Sequence, residues 1–246
     1  MSEDIVVRKC ATLAEFQSCV ALQRQVWGEE DLEVEPVTLF VVAANIGGQV
    51  LGAFAGNELV GYTLAVVGWR EGRPFLHSHH TGVHANYRDR GVGRRLKLFQ
   101  REEALSREIR LIEWTFDPLE LRNAHFNLNR LGAICRRYLP NFYGVTSSPL
   151  HHGLPTDRLV AEWHLDSARV VAAIEDLAVE LKDVPATIEL PSELEQWKQK
   201  SPDQVASVQS RVREEFGKWF ARGYAAIGLR QAKTGSAYLL GPWSDF

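Results

Sequence analysis

The stretch "NYRDRGVGRRLK", Asn86 to Lys97, sets five positive charges around two glycines one residue apart. An apolar run, "FLHSHHTGV", precedes it, and helical periodicity follows from Val92. A strand that turns through glycines into a helix aims the free N–H groups of the helix N-terminus at one point. Those donors and the helix dipole together favour an anion. Gly91 and Gly93 let the backbone approach such a ligand, and Arg88, Arg90 and Arg94 can neutralise its charge. A lone Gly-x-Gly is more often a plain turn among solvated arginines. Here strand, loop and helix fall in the order an anion site needs.

Upstream, "DIVVRKC" reads as a first strand, and Thr12 with Glu15 forms a capping box for "TLAEFQSCVALQRQVWG", closed by Gly28. "EPVTLFVVAAN" reads as a second, shorter helix despite its β-branched residues. "QVLGAFAGNELVGYTLAVVGW" is a hairpin turning at Gly56-Asn57, and "FLHSHHTGV" is the next strand after the polar turn "REGRP". Downstream, the helix runs from Val92 to about Arg110 and is apolar on two sides, as for packing between a sheet and another layer. "LIEWTF" is a strand and "LRNAHFNLNRLGA" a helix closed by Gly132. This order predicts an α/β fold, a mixed central sheet layered with helices.

After the Pro-, Gly- and Ser-rich "PNFYGVTSSPLHHGLPTDR" comes the strand "LVAEWHL". A helix at about 167–181, a strand at "ATIELP", a charged helix at 202–222 and a closing hairpin of "YAAIGLR" with "SAYLLGPW" follow. The expected division is a main domain over 1–165 and a C-terminal α/β extension over 166–246 packed on it.

Length and composition suit a globular chain with a real core: 246 residues, 45% hydrophobic and 24% charged. A net charge of -3 argues against bulk attraction to nucleic acid or anionic membrane, so the basic cluster is a local feature. The three cysteines, Cys10, Cys19 and Cys135, show no metal-ligand or CxxC spacing and favour a reducing compartment. With no apolar leader and no membrane-length run, the expected location is cytoplasmic.

Two familiar phosphate loops are excluded. No Gly-Lys-Ser/Thr follows at Walker spacing, and a dinucleotide fingerprint would need glycine where the chain has Leu96. What remains, Arg88-x-x-Gly91-x-Gly93 after a strand ending in Val83, resembles the R/Q-x-x-G-x-G/A acyl-CoA loop of the GNAT superfamily of N-acetyltransferases. That resemblance implies an acyl-CoA, such as acetyl-CoA or another short acyl-CoA, as co-substrate, without a metal. It implies that the loop from Arg88 through Asp89, Arg90, Gly91, Val92 and Gly93 to Arg94 holds the CoA pyrophosphate. The pantetheine arm would pair like an extra strand beside Val83. "NAHFNLNRLGA", Asn123 to Ala133, is similar to the family's later helix motif, with Asn123 where an asparagine often lies near the CoA arm. The full pattern is similar to a bacterial GNAT subgroup with a C-terminal extension.

In such enzymes an amine attacks the thioester directly, and a lysine-like amine with a pKa of about 10.4 needs a base to deprotonate it. A histidine, with an unperturbed pKa of about 6.5, suits that task. On a regular strand His77 and His79 share a face while His80 points away. A histidine pair at this distance before the equivalent valine resembles the arylalkylamine branch of the family. His79, helped by His77, is therefore the first candidate for general base, and Glu113 on the neighbouring strand is the rival. Against these stands the plainer role of half-buried strand residues. A metal site among His77, His79, His80 and His84 is not expected, because alternating faces do not converge.

Many family members place a tyrosine four residues before the closing glycine, as proton donor to the departing thiolate. That position here is Leu128. Either the thiolate leaves unaided, which a thiol pKa of about 8.5 permits, or Tyr138 or Tyr143 acts, Tyr138 being preferred. Trp27, Trp114 and Phe116 are candidates for the acceptor pocket, and Arg136-Arg137 for a carboxylate on the acceptor or acyl group.

The leading reading is an acyl-CoA-dependent N-acyltransferase, moving an acetyl or succinyl group to a primary amine of a small molecule or amino acid in a ternary complex. The alternative is a non-catalytic acyl-CoA sensor. Nucleic acid and membrane are not expected partners, and a homodimer is compatible with the added C-terminal elements.

Overall fold

The structure, a computed structural model, describes residues 4–28, 34–144, 154–177, 184, 186–232 and 235–243. The chain forms two compact units, 1–113 and, as far as described, 114–243, and passes from one to the other within a strand.

In the first unit β1 (Ile5–Lys9), β2 (Gln49–Ala55), β3 (Glu58–Arg70) and β4 (Arg73–Val83) pair antiparallel in chain order, and β5 (Leu111–Phe116) joins β4 in parallel. Helix α1 (Leu13–Trp27) starts at the expected box: Thr12 Oγ1 accepts from Glu15 N at 3.3 Å and Glu15 Oε2 from Thr12 N at 3.1 Å. Its buried Phe16, Cys19 and Leu22 pack with Phe40 and Ala43 of α2 (Val37–Asn45) and with Tyr62 and Leu64 of β3. Helix α3 (Val92–Leu105) buries Val92 and Leu96 in a separate cluster with Leu51, Ala53 and Val60. These two clusters place β2 and β3 inside a layered α/β core, the architecture expected.

Helix α3 stops at Leu105, earlier than its periodicity suggests. Glu108 turns left-handed (φ 62°), and Ile109 N returns to Ala104 O at 3.0 Å. Ile109 is buried in the connection rather than on the helix.

The strand β4 departs further from expectation. Against β3 its register runs Leu64 opposite His80 but Ala65 opposite Ser78, so His79 is an extra residue, a bulge. Alternation therefore slips by one at His79. His77 and His80 lie opposite Val66 and Leu64, on one face of the sheet, and Ser78 and Thr81 on the other. The expected pairing of His77 with His79 against His80 is corrected on this ground. With β5, β4 pairs only at Leu76–Ile112 and His77–Glu113. Among the described residues, its edge from His79 to Val83 has no strand partner on that side.

The second unit carries an antiparallel sheet in the order β7 (Arg158–His164), β6 (Ile134–Leu139), β9 (Tyr224–Ala232), β10 (Gly235–Pro242), β8 (Ala186–Leu190). Strand β6 was not anticipated: in "ICRRYL" two arginines interrupt the apolar pattern. The helix expected at 121–132 is one α-helical stretch, α4 (Leu121–His125), followed by a π-helical turn over Phe126–Arg130. Gly132 closes it (φ 74°), and a Cβ there would sit 3.0 Å from Arg169 O and Ala173 Cβ, so a side chain at this position would be both crowded and strained. Helix α5 (Ala168–Ile174) is capped by Ser167; the expected continuation over 178–181 lies outside the described residues. Helices α6 (Leu194–Lys200) and α7 (Pro202–Phe220) precede the last hairpin. Phe216 of α7 packs tilted against Tyr138 and edge-on to Tyr238, with ring centres 5.7 and 5.1 Å away. Among the described residues no helix is long and apolar enough to cross a membrane.

Candidate active site

The glycine–arginine loop is the N-terminus of α3. Gly91 is the N-cap, left-handed at φ 76°, and no side chain caps the helix. Its first turn holds no acidic residue, whereas α1 opens with Glu15. The first N–H groups of α3 are thus left for an external acceptor, and the macrodipole there is reinforced by Arg94. Asp89 is also left-handed (φ 59°), which turns the chain between the two flanking arginines. Arg88 Nε donates to Val83 O at 3.4 Å, tying the loop to the end of β4, and Arg90 lies over the Tyr87 ring. Two of the five cations point elsewhere. Arg95 donates to the carbonyl of Ile5. Lys97 is buried, with Nζ 2.8 Å from Ser78 Oγ and 3.0 Å from Gln100 Oε1. Burial brings the Lys97 ammonium down to about 7. Three exposed or half-exposed arginines around an amide cradle suit a compact polyanion better than a long nucleic-acid track.

The bulge stacks His79 on His80, ring centres 4.3 Å apart and planes 16° from parallel, with His77 at 6.1 Å from His79. Burial, then the neighbouring His79 and His77, push His80 down to about 3, so it is neutral. The Trp27 ring lies tilted against His80, centres 4.9 Å apart, and edge-on to Tyr62 at 6.3 Å. Glu35, between α1 and α2, places Oε1 2.8 Å from His79 Nε2. The ligand atoms of Glu35, His79 and His80 lie within 4.8 Å of one another, so the reason given above against convergence does not hold. Near-parallel stacked rings nevertheless send their in-plane lone pairs side by side rather than to one point, which is poor geometry for a tetrahedral ion.

The other expected site residues are engaged within the protein. Glu113 is buried, opposite His77 in register, and accepts from both guanidinium nitrogens of Arg70, Nη2 to Oε2 at 2.9 Å. In the second unit Tyr138 donates its hydroxyl to Asp157 Oδ2 at 2.7 Å, and Arg213 grips the same carboxylate at 2.8 and 2.9 Å. Burial and then that hydrogen bond raise Tyr138 well above the ordinary tyrosine range, making it a reluctant proton donor. The Tyr143 hydroxyl meets Thr115 Oγ1 at 2.9 Å. Arg136 donates to buried Glu162 at 2.7 Å, with Arg137 Nε 3.5 Å from the same carboxylate. Trp114 is buried edge-on to Trp163, and Phe116 is also buried. Leu128 is fully buried, while Asn123 is exposed on α4.

The family model described as "Acetyltransferase (GNAT) family" matches residues 16–132. This segment is a GNAT acetyltransferase domain. No curated protein matches the chain in sequence. Solved structures agree on the fold. The ribosomal-protein-S18-alanine N-acetyltransferase from Escherichia coli is 11% identical, with TM-score 0.54 over 67% of this chain and 96% of its own. The structure of yncA from Salmonella typhimurium with its cofactor acetyl-CoA is 18% identical, with TM-score 0.53 over 67% and 95%. NAA60 of Arabidopsis thaliana, in complex with a bisubstrate analogue, is 15% identical, with TM-score 0.52 over 65% and 97%. Each is covered almost whole, while about a third of this chain lies outside the shared fold.

The GNAT domain as matched holds the glycine–arginine loop, the three histidines, Glu35, Glu113 and Asn123, whereas Tyr138 falls beyond it. By family it is an N-acetyltransferase domain. Sequence reasoning missed Glu35, which lies 44 residues before His79 in a stretch without periodicity. Its one signal, an acid just ahead of Pro36 and a helix, is shared by many surface residues.

Proposed function

We propose that the protein transfers an acyl group from an acyl-CoA, acetyl or succinyl, to the primary amine of a small molecule or amino acid. One observation carries the reading. The uncapped N-terminus of α3, set with Gly91, Gly93 and arginines, lies next to Val83 at the end of a β4 edge that, among the described residues, has no strand partner beyond His77. Amides at the helix start accept a pyrophosphate, and an open strand edge accepts the amide groups of a pantetheine arm. Val83, Arg88, Asp89, Arg90, Gly91, Val92, Gly93 and Arg94 are the proposed cofactor contacts. Asn123 is carried over from the family motif. The solved yncA holds acetyl-CoA, which supports the same class of co-substrate here, with no metal required.

In the proposed reaction the neutral amine attacks the thioester carbonyl carbon, and the tetrahedral intermediate collapses with cleavage of the C–S bond. CoA leaves as thiolate and the amine proton passes to His79, directly or through water, with His77 nearby in support. Glu113 and Tyr138 enter as structural groups, since Arg70 and Asp157 hold them. The thiolate then needs no protein donor, given a thiol pKa of about 8.5. Within this reading residues 1–165 form the transferase and 166–246 the extension.

Calorimetric titration with acetyl-CoA and succinyl-CoA, followed by an amine screen that detects released thiol, tests the proposal. Binding of either in the micromolar range with turnover of an amine is expected. Binding without turnover of any amine would favour the sensor instead, and no binding of either would overturn both.

A further inference from the structure

We infer that Glu35 is a positioning residue for the reaction, holding His79 as the Nε2–H tautomer so that Nδ1 is the atom that takes the substrate proton. The inference rests on the proposal above that His79 is the base, and adds the residue and atom that proposal leaves open.

A neutral imidazole carries one proton, and the partner of one ring nitrogen decides where the other lone pair stands. An ionised carboxylate only accepts hydrogen bonds, so Glu35 Oε1 at 2.8 Å requires a proton on Nε2 of His79. Among the described residues Nδ1 has no hydrogen-bond partner. The stacking of His80 on the ring at 4.3 Å, with Trp27 packed against His80, hinders a ring flip that would exchange the two nitrogens. The bulge is what makes this possible: in a regular strand His79 and His80 would face opposite sides of the sheet.

Proton uptake at Nδ1 turns His79 into an imidazolium. The groups facing it are Glu35 from the α1–α2 segment and His77 and His80 from its own strand. Of these His80 is neutral, so the nearest formal charge is a carboxylate already hydrogen-bonded to the ring. The new positive charge is therefore met by a negative partner in place, with no reorganisation at the moment of transfer.

Two-bond proton–nitrogen NMR of the ring nitrogens, read on the wild-type protein and on Glu35→Ala, tests the inference directly. In the wild type His79 should show a protonated Nε2 and a bare Nδ1. In Glu35→Ala the two tautomers should mix, and kcat for the acyl transfer should fall about tenfold with KM changed less than about twofold, a share of the usual effect of a positioned base. Glu35→Gln, whose amide oxygen can still accept from Nε2, should restore the tautomer and most of the rate. A wild-type Nδ1–H tautomer, or a tautomer unmoved in Glu35→Ala, overturns the inference. Full activity in His79→Ala overturns the base assignment while leaving the NMR result standing, so the two failures are distinguishable.

Discussion

Arg70 holds Glu113 with both ends of its guanidinium, beside His77 on the next strand. A carboxylate whose two oxygens are already claimed by a cation is badly placed to take a proton from an amine. Glu113→Gln should therefore act on stability. It should lower the free energy of unfolding by about 1–3 kcal/mol, less than for a fully buried pair because Arg70 is 39% exposed. Denaturant melts and steady-state kinetics on one preparation check this: a lower midpoint with kcat within about threefold is expected, the change being far below the usual effect of losing a general base.

Gly93 separates the stability of α3 from its ligand. A Cβ at this position meets nothing closer than Val83 Cγ2 at 3.9 Å, so a side chain fits without displacing protein atoms. Gly93→Asp puts a negative charge in the first turn, which should steady the helix by a few tenths of a kcal/mol. The same charge faces the proposed pyrophosphate, and acetyl-CoA should bind at least about tenfold more weakly from like-charge repulsion. Gly93→Ala, with the methyl and no charge, should lose much less. A melting point held or raised while the calorimetric Kd worsens is the expected pair of results.

Lys97 should make stability depend on pH. Its folded value is down at about 7 through burial, against 10.5 in the unfolded chain, so between those values the unfolded state binds more protons. Stability from this group is fully present above about pH 10.5 and is lost as pH falls toward 7, at up to about 1.4 kcal/mol per unit. Cysteines and tyrosines that stay protonated in the fold act oppositely at high pH, so the measurement is a difference. Lys97→Met should remove an upward slope from the wild-type curve of unfolding free energy between pH 7 and 9.

Tyr138→Phe removes one hydrogen bond from Asp157 and leaves the two from Arg213. A stability loss of about 0.5–1.5 kcal/mol is expected for a single hydrogen bond with its partner still satisfied. If the thiolate leaves unaided, kcat should be unchanged. A large fall in kcat that follows the leaving-group thiol pKa would instead return Tyr138 to the chemistry.

Much of this was legible wherever the cause is local. The Thr12–Glu15 box, the Gly56-Asn57 turn and the glycines of the α3 loop are each fixed by neighbours within four residues. The histidine arrangement was not, because alternation assumes an unbroken ladder and a bulge is written in the pairing of two strands. Strand β6 hid behind Arg136 and Arg137, which read as polar until buried Glu162, 26 residues on, takes them up. Glu35 was invisible for the same reason, since its meaning lies wholly in a partner distant along the chain. Lys97 was counted with the surface cations because only the third dimension turns it inward.

The extra residue in β4 is a phase shift as well as a placement of one histidine. Side chains from Pro74 to Ser78 keep one odd–even beat, and those from His80 to Val83, with the loop they launch, keep the opposite one. Removing His79 would restore a regular ladder with Leu64 still opposite His80 and Ala65 still opposite Ser78, so the loop and helix beyond would keep their faces. The fold could therefore lose the bulge and keep its loop; what the extra residue alone supplies is a second imidazole on the face of His80, within reach of Glu35.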